Sequence, residues 1–202
     1  NDFIYKITEF SNYNYINSNN FNEMIYLNYF KNKYPNLYEK NNNNLPIQNI
    51  STHINTFDYF IKLYEIDEDL INKIKSKLQI EPIDLIIINK MKFYPLNLNE
   101  LKKKNLELND LHIGVEKIIL GLHFFHFDGF AHGDLKPLNI VSDKNNYKII
   151  DFGGIKYINN PNYECTCTCT YRSPEDYNFE HNKTSMYLEC PLKSDIWSLG
   201  LV

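Results

Sequence analysis

No glycine occurs before Gly114 in this chain of 202 residues, and only seven occur in all. A Gly-x-Gly-x-x-Gly loop, which lets backbone N–H groups approach phosphates closely, is therefore excluded from the amino-terminal half. A basic excess is lacking too. With 21 Lys and Arg against 25 Asp and Glu, the formal charge of −4 and pI near 5.9 argue against a general binder of nucleic acid. The Lys102-Lys103-Lys104 run reads as a solvated helix end. Long apolar runs are missing: Leu85 to Ile88 and Ile118 to Leu120 are far too short to cross a bilayer. Cysteine is scarce, and Cys165, Cys167 and Cys169 alternate with threonines. Paired zinc ligands favour two or more intervening residues, so a Cys-x-Cys-x-Cys run predicts free thiols, with no zinc site and no required disulfide.

What is present is a stretch dense in chemistry. His132-Gly133-Asp134-Leu135-Lys136-Pro137-Leu138-Asn139 is followed twelve residues after its Asn by Asp151-Phe152-Gly153. Asp134 is a carboxylate able to hold a hydroxyl and accept its proton. Lys136 supplies a compact positive charge that can offset charge on phosphoryl oxygens. Asn139 and Asp151 are hard oxygen donors of the kind that Mg²⁺ takes in ones and twos, sharing the ion with substrate phosphates. Together these groups are the equipment for phosphoryl transfer from ATP. Tyr147-Lys148-Ile149-Ile150, after the turn-like Asp143 to Asn146, reads as a strand delivering Asp151 to its end, and Gly153 frees the backbone to turn. From Leu108 to Phe127, apolar Leu111, Val115, Ile118, Leu122 and Phe125 recur at helical spacing, which predicts a long core-facing helix beneath that loop.

The order of these motifs resembles the eukaryotic-type protein kinase family, and the likeness extends further. Thr168-Cys169-Thr170-Tyr171-Arg172-Ser173-Pro174-Glu175 is similar to the close of a kinase activation loop, with Ser173 in place of the usual Ala. Asp195-Ile196-Trp197-Ser198-Leu199-Gly200 resembles the start of the large central helix of the carboxy-terminal lobe, where Asp195 would brace the catalytic loop. Phe3-Ile4-Tyr5-Lys6-Ile7 is similar to the strand carrying the ATP-binding lysine, and Asn22 to Leu27 to the helix carrying its glutamate partner. The resemblance thus implies a Lys6–Glu23 ion pair at the nucleotide phosphates. It also implies an α+β bilobal kinase-like fold, with residues 1–91 as a partial amino-terminal lobe and 92–202 as a partial carboxy-terminal lobe. Both ends are expected to be cut short, before Asn1 at the glycine-rich loop and within the central helix at Val202. Glu175 is then expected as a buried carboxylate without its arginine, a costly state.

Within the first lobe, residues 35–59 read as an insertion before a strand Phe60 to Tyr64, and residues 67–82 as a second insertion carrying a short helix. Leu85 to Ile88 reads as a buried strand leading to the lobe hinge. Either Ile88 or Met91 would back the adenine pocket, with backbone contacts from Asn89 to Met91. The asparagine run Asn41 to Asn44 and the segment Asn12 to Asn22 read as loops. His132 is expected to pack and hydrogen-bond, and His123 and His126 to sit at the core edge.

The resemblance implies a serine/threonine kinase: Lys136 in Leu135 to Asn139 follows that pattern, and Thr168 sits where the family bonds the catalytic Asp. ATP and Mg²⁺ are the implied cofactors and a protein the implied substrate, while length and composition fit a cytoplasmic type of globular domain without fixing the compartment. Gly133 stands where most kinases carry an arginine that pairs with a phosphorylated activation loop. Glycine offers no charge-assisted bond, so activity is expected not to need phosphorylation between Cys165 and Thr170. A catalytically impaired pseudokinase or scaffold is the alternative, and a kinase of small molecules a third reading that the activation segment disfavours.

Overall fold

The computed structural model describes residues 3–9, 26, 28–35, 50–79, 85–101, 108–143, 146–158, 168–177 and 191–202. They form an α+β protein of two compact units, Asn1–Met24 with Asn49–Phe93 and Ile25–Gln48 with Tyr94–Val202. The expected loops at Asn12 to Asn22 and Asn41 to Asn44, together with Glu23 and the Lys102 to Lys104 run, lie outside the described residues.

The first unit is built on an antiparallel sheet of β1 (Phe3–Glu9), β2 (Ile50–Thr56) and β3 (Leu85–Lys92), in the order β1-β3-β2. The central position of β3 explains its apolar run. Ile86, Ile87 and Ile88 are buried, as a strand flanked on both sides requires. Lys6 pairs across the ladder with Asn89. Ile88 and Met91 are both buried, so burial alone does not choose between the two expected registers.

The strand expected at Phe60 to Tyr64 is instead a helix, α1 (Phe57–Tyr64), and a strand, β2, runs through the stretch read as insertion. Thr56 caps α1 by accepting the Tyr59 N–H at 3.3 Å, and Phe57, Phe60 and Ile61 at helical spacing turn inward. The short helix expected within residues 67–82 is α2 (Glu68–Leu78), capped by Asp67, which accepts the Leu70 N–H at 2.8 Å. Phe57, Phe60, Ile86 and Ile88 form the core, with Ile7, Ile61, Ile66, Ile71, Ile74 and Leu78 packed around it. Each fully buried large side chain there contributes on the order of 1.5–3 kcal/mol.

The second unit is organised by the helices α4 (Leu108–Phe127) and α5 (Pro191–Leu201), with the short α3 (Leu98–Leu101). Beside them lie a sheet in the order β4 (Leu96–Asn97), β6 (Ile140–Asp143), β7 (Asn146–Ile149) and a two-stranded ribbon of β5 (Phe130–Ala131) with β8 (Lys156–Tyr157). The long helix has the boundaries read from sequence, but its buried face is rotated from the one expected. Leu111 and Val115 are exposed, whereas Gly114, Ile118, Leu122 and Phe125 face inward. Gly114 explains the rotation: a Cβ there would sit 2.8 Å from the Tyr147 ring, so β7 packs where the helix has no side chain.

Helical residues 28–33 join this unit through aromatic packing. Tyr26 stacks on Phe125 at 5.2 Å and meets Phe130 at 4.6 Å; Phe125 lies 5.4 Å from Phe152. His132 completes the cluster, 5.9 Å from both Phe125 and Phe152. Asp128, just past α4, accepts from Lys33 and from the Tyr34 hydroxyl. Hydrogen bonding to Asp128 holds the Lys33 ammonium protonated well above its ordinary range, and burial pushes the Tyr34 phenol up.

Candidate active site

The site in the second unit is set by a buried carboxylate beneath it. Asp195, 1% exposed on α5, accepts the His132 N–H at 2.7 Å on Oδ2 and the Gly133 N–H at 3.0 Å on Oδ1. It therefore braces the loop backbone as the resemblance implied. His126 adds a third bond, Nε2 to Asp195 Oδ2 at 2.9 Å. Its half-buried place is the core edge that was expected, and the bond to Asp195 adds a role to that reading. No local sequence signal marks this contact, because Asp195 lies 69 residues further along the chain.

His132 is fully buried and works with both ring nitrogens. Nε2 faces the Ile150 carbonyl at 3.0 Å, and Nδ1 accepts the Asp134 N–H at 3.3 Å. A carbonyl only accepts, so this pattern fits the neutral ring with its proton on Nε2. Ile150 is held a second time, its N–H donating to the Asn139 carbonyl at 3.0 Å. Both ends of the loop thus grip the residue immediately before Asp151. Asp151 itself is exposed and left-handed, with φ 62°, and opens a 3-10 turn Phe152–Gly154 whose Phe152 ring anchors it in the core.

Asp134 is the hub. Its Oδ1 accepts the Thr168 N–H at 2.8 Å and the Thr168 hydroxyl at 2.7 Å. Its Oδ2 accepts Lys136 Nζ at 2.6 Å and Asn139 Nδ2 at 3.3 Å. Lys136 Nζ also donates to the Thr168 hydroxyl at 2.7 Å, closing a ring of charge-assisted bonds. Asn139 Nδ2 donates to the Asp134 carbonyl at 2.8 Å as well, so its amide nitrogen is committed inward and its carbonyl oxygen is the atom left for a cation. Together with the exposed Asp151 carboxylate, that oxygen suits a hard ion that keeps several waters. Among the described residues no group of three or more His, Cys, Asp or Glu could hold a metal.

Asp134, Lys136 and Asn139 are thus brought into direct contact, with Asp151 tied to them through Ile150. Lys6 lies on β1 of the first unit, half-buried. Glu23, its expected partner, lies outside the described residues, so the pair is not seen.

Residues 168–177 are held from α5: Ser198 Oγ donates to the Tyr171 carbonyl at 2.8 Å, and Ser173 Oγ meets Ser194 Oγ at 3.1 Å. Glu175 is exposed, in contrast to its expected burial. The buried acid is its neighbour Asp176, 2% exposed, whose Oδ2 accepts from Ser173 at 3.3 Å. Cys169 is a free, exposed thiol, and Cys165, Cys167 and Cys190 lie outside the described residues.

The family described as protein kinase domain matches residues 37–202. This chain belongs to the protein kinase family. Among curated relatives, the domain is 37% identical over 87 residues to mitogen-activated protein kinase kinase 10 of Arabidopsis thaliana, covering 43% of this chain and 28% of the relative. It is 35% identical over 115 residues to a probable serine/threonine-protein kinase, MRK1 homolog, of Encephalitozoon cuniculi, covering 54% and 34%. It is 28% identical over 154 residues to serine/threonine-protein kinase mph1 of Schizosaccharomyces pombe, covering 72% and 21%. The matched segments span about a third or less of those relatives' own length. No helix among the described residues is long and apolar enough to cross a membrane.

Proposed function

We propose that this kinase domain transfers the γ-phosphoryl group of ATP to serine or threonine hydroxyls of a protein. The observation that carries the reading is the closed ring of Asp134, Lys136 and Thr168, with Asn139 bonded into it. In this reading Asp134 orients the attacking hydroxyl and receives its proton as the phosphorus–oxygen bond forms. Lys136, fixed between Asp134 and Thr168, offsets charge on the transferring oxygens. Asn139 Oδ1 and Asp151 would hold Mg²⁺, which when bound neutralises phosphate charge. Lys6, with Glu23 as its partner, would steady the α- and β-phosphates.

Serine/threonine preference is supported by the Lys136–Thr168 contact and by the names of two of the relatives above. The test is transfer from γ-labelled ATP to generic protein substrates by the full-length protein, followed by analysis of the phosphorylated residue. Phosphoserine and phosphothreonine are expected. Phosphotyrosine would overturn the preference, and nucleotide binding without transfer would put the scaffold reading in its place.

A further inference from the structure

Asp128 is a carboxylate outside the ring around Asp134, its side chain 2% exposed, and its partners come from far back in the chain. Lys33 Nζ donates to its Oδ1, and the Tyr34 hydroxyl donates to its Oδ2 at 3.1 Å. Lys33 also donates to the Tyr29 hydroxyl at 2.9 Å and lies 5.3 Å and 5.5 Å from the centres of the Tyr29 and Tyr34 rings. One ammonium is thus held by a carboxylate, a phenol oxygen and two rings. A carboxylate buried without its cation is costly, so the pair favours one seating of the helix. Tyr26, Tyr29, Phe30 and Lys33 fall at i, i+3, i+4 and i+7, a single helical stripe that ends in the cation. Its rings meet the chain on both stems of the site. Tyr26 lies 4.6 Å from Phe130, which leads through Ala131 into His132, and 6.3 Å from Phe152, which follows Asp151. Tyr29 lies 5.5 Å from Phe130. Apolar packing is non-directional and leaves such a stripe free to slide, whereas an ion pair to a fixed carboxylate does not. Asp128 is fixed by its own N–H, which donates to the Phe125 carbonyl at 3.2 Å at the end of α4.

We propose that Lys33 and Asp128 are positioning residues for phosphoryl transfer: their ion pair is a latch that fixes Tyr26 and Tyr29 against the stems leading to His132 and away from Asp151. This inference rests on the proposed activity and deepens it. With the latch open the Tyr26 ring loses its register on Phe130 and Phe152, and the turn that Asp151 opens loses a wall of its core. Asp151 then wanders while Asp134, held by Thr168, Lys136 and Asn139, stays.

The test uses two forms of the full-length protein: Lys33→Met combined with Asp128→Asn, a neutral pair that leaves no buried charge unmatched, and Lys33→Arg, which keeps the cation. Thermal melting, amide exchange and steady-state kinetics are read on both. The neutral pair should melt near the parent, exchange the 28–35 and 151–154 amides about tenfold faster, and lose about fivefold in kcat, with the KM for protein substrate unchanged. Lys33→Arg should keep most of the parental kcat. Parental kcat in a folded neutral pair overturns the proposal, as does faster exchange confined to residues 28–35. Should the neutral pair melt below the assay temperature, amide exchange in the parent decides: the 28–35 and 151–154 amides should open together, with one dependence on denaturant, and separate openings overturn the latch. Exchange needs no turnover, so a parent that transfers no phosphate sinks the proposed activity, while the exchange result still judges the latch by itself.

Discussion

Thr168 shows how one neutral side chain can order two charged ones. Its hydroxyl donates to Asp134 and accepts from Lys136, and its N–H donates to Asp134 again. Hydrogen bonds to charged groups are worth roughly 1.5–3 kcal/mol, and about 1.4 kcal/mol is a tenfold change in rate. Thr168→Ala is therefore expected to lower kcat about 10- to 100-fold, with Thr168→Ser restoring most of it; steady-state kinetics on the two variants checks this. An Ala variant at the parental rate would mean that the ring plays no part in turnover. Alanine at Thr166 or Thr170 is expected to leave activity intact, because Gly133 offers no cation to a phosphate; loss of activity rescued by Glu would contradict that. At this scale the sequence was most readable where chemistry fixes residue type. Asp134, Lys136 and Asn139 stand out because their types and spacing are unusual together. His126 did not, because nothing in its local sequence marks the carboxylate 69 residues away that it meets.

Secondary elements were legible where a single period dominated. The helix Leu108–Phe127, its inward Ile118, Leu122 and Phe125, and the strand from Leu85 were readable from their apolar spacing, but the outward turn of Leu111 and Val115 was not. Gly114 redirected the helix by admitting the Tyr147 ring, a contact between residues 33 positions apart that no local period encodes. Phe57–Tyr64 was misread for a different reason: a short apolar run fits strand and helix alike, and the Thr56 cap decides. Thr56→Ala should cost about 1 kcal/mol in chemical denaturation of the first unit. Helical residues 28–33 are fastened to the end of α4 by Asp128. Asp128→Ala is expected to speed amide exchange across residues 28–35 while leaving α4 protected; unchanged exchange would show that the aromatic contacts alone hold that segment.

For the molecule as a whole, the second unit's stability and its chemistry share one core. Phe152 is fully buried against Phe125 and His132 and also opens the turn that follows Asp151. Phe152→Ala should cost about 3–5 kcal/mol and lower activity in parallel, seen by melting and transfer assays. Burial raises the Tyr147 and Tyr94 phenols above their ordinary value of 10.0. The unfolded chain then releases those protons first, so stability is full below pH 10 and falls as pH rises past it. Tyr147→Phe should flatten that fall in denaturation curves taken at pH 9 and above. The most direct check on the whole account is to compare transfer from γ-labelled ATP by the parent and Asp134→Asn, with Mg-dependent nucleotide affinity measured on the same samples. The account predicts that the variant binds Mg-nucleotide as the parent does and transfers essentially nothing. Transfer at the parental rate would contradict it.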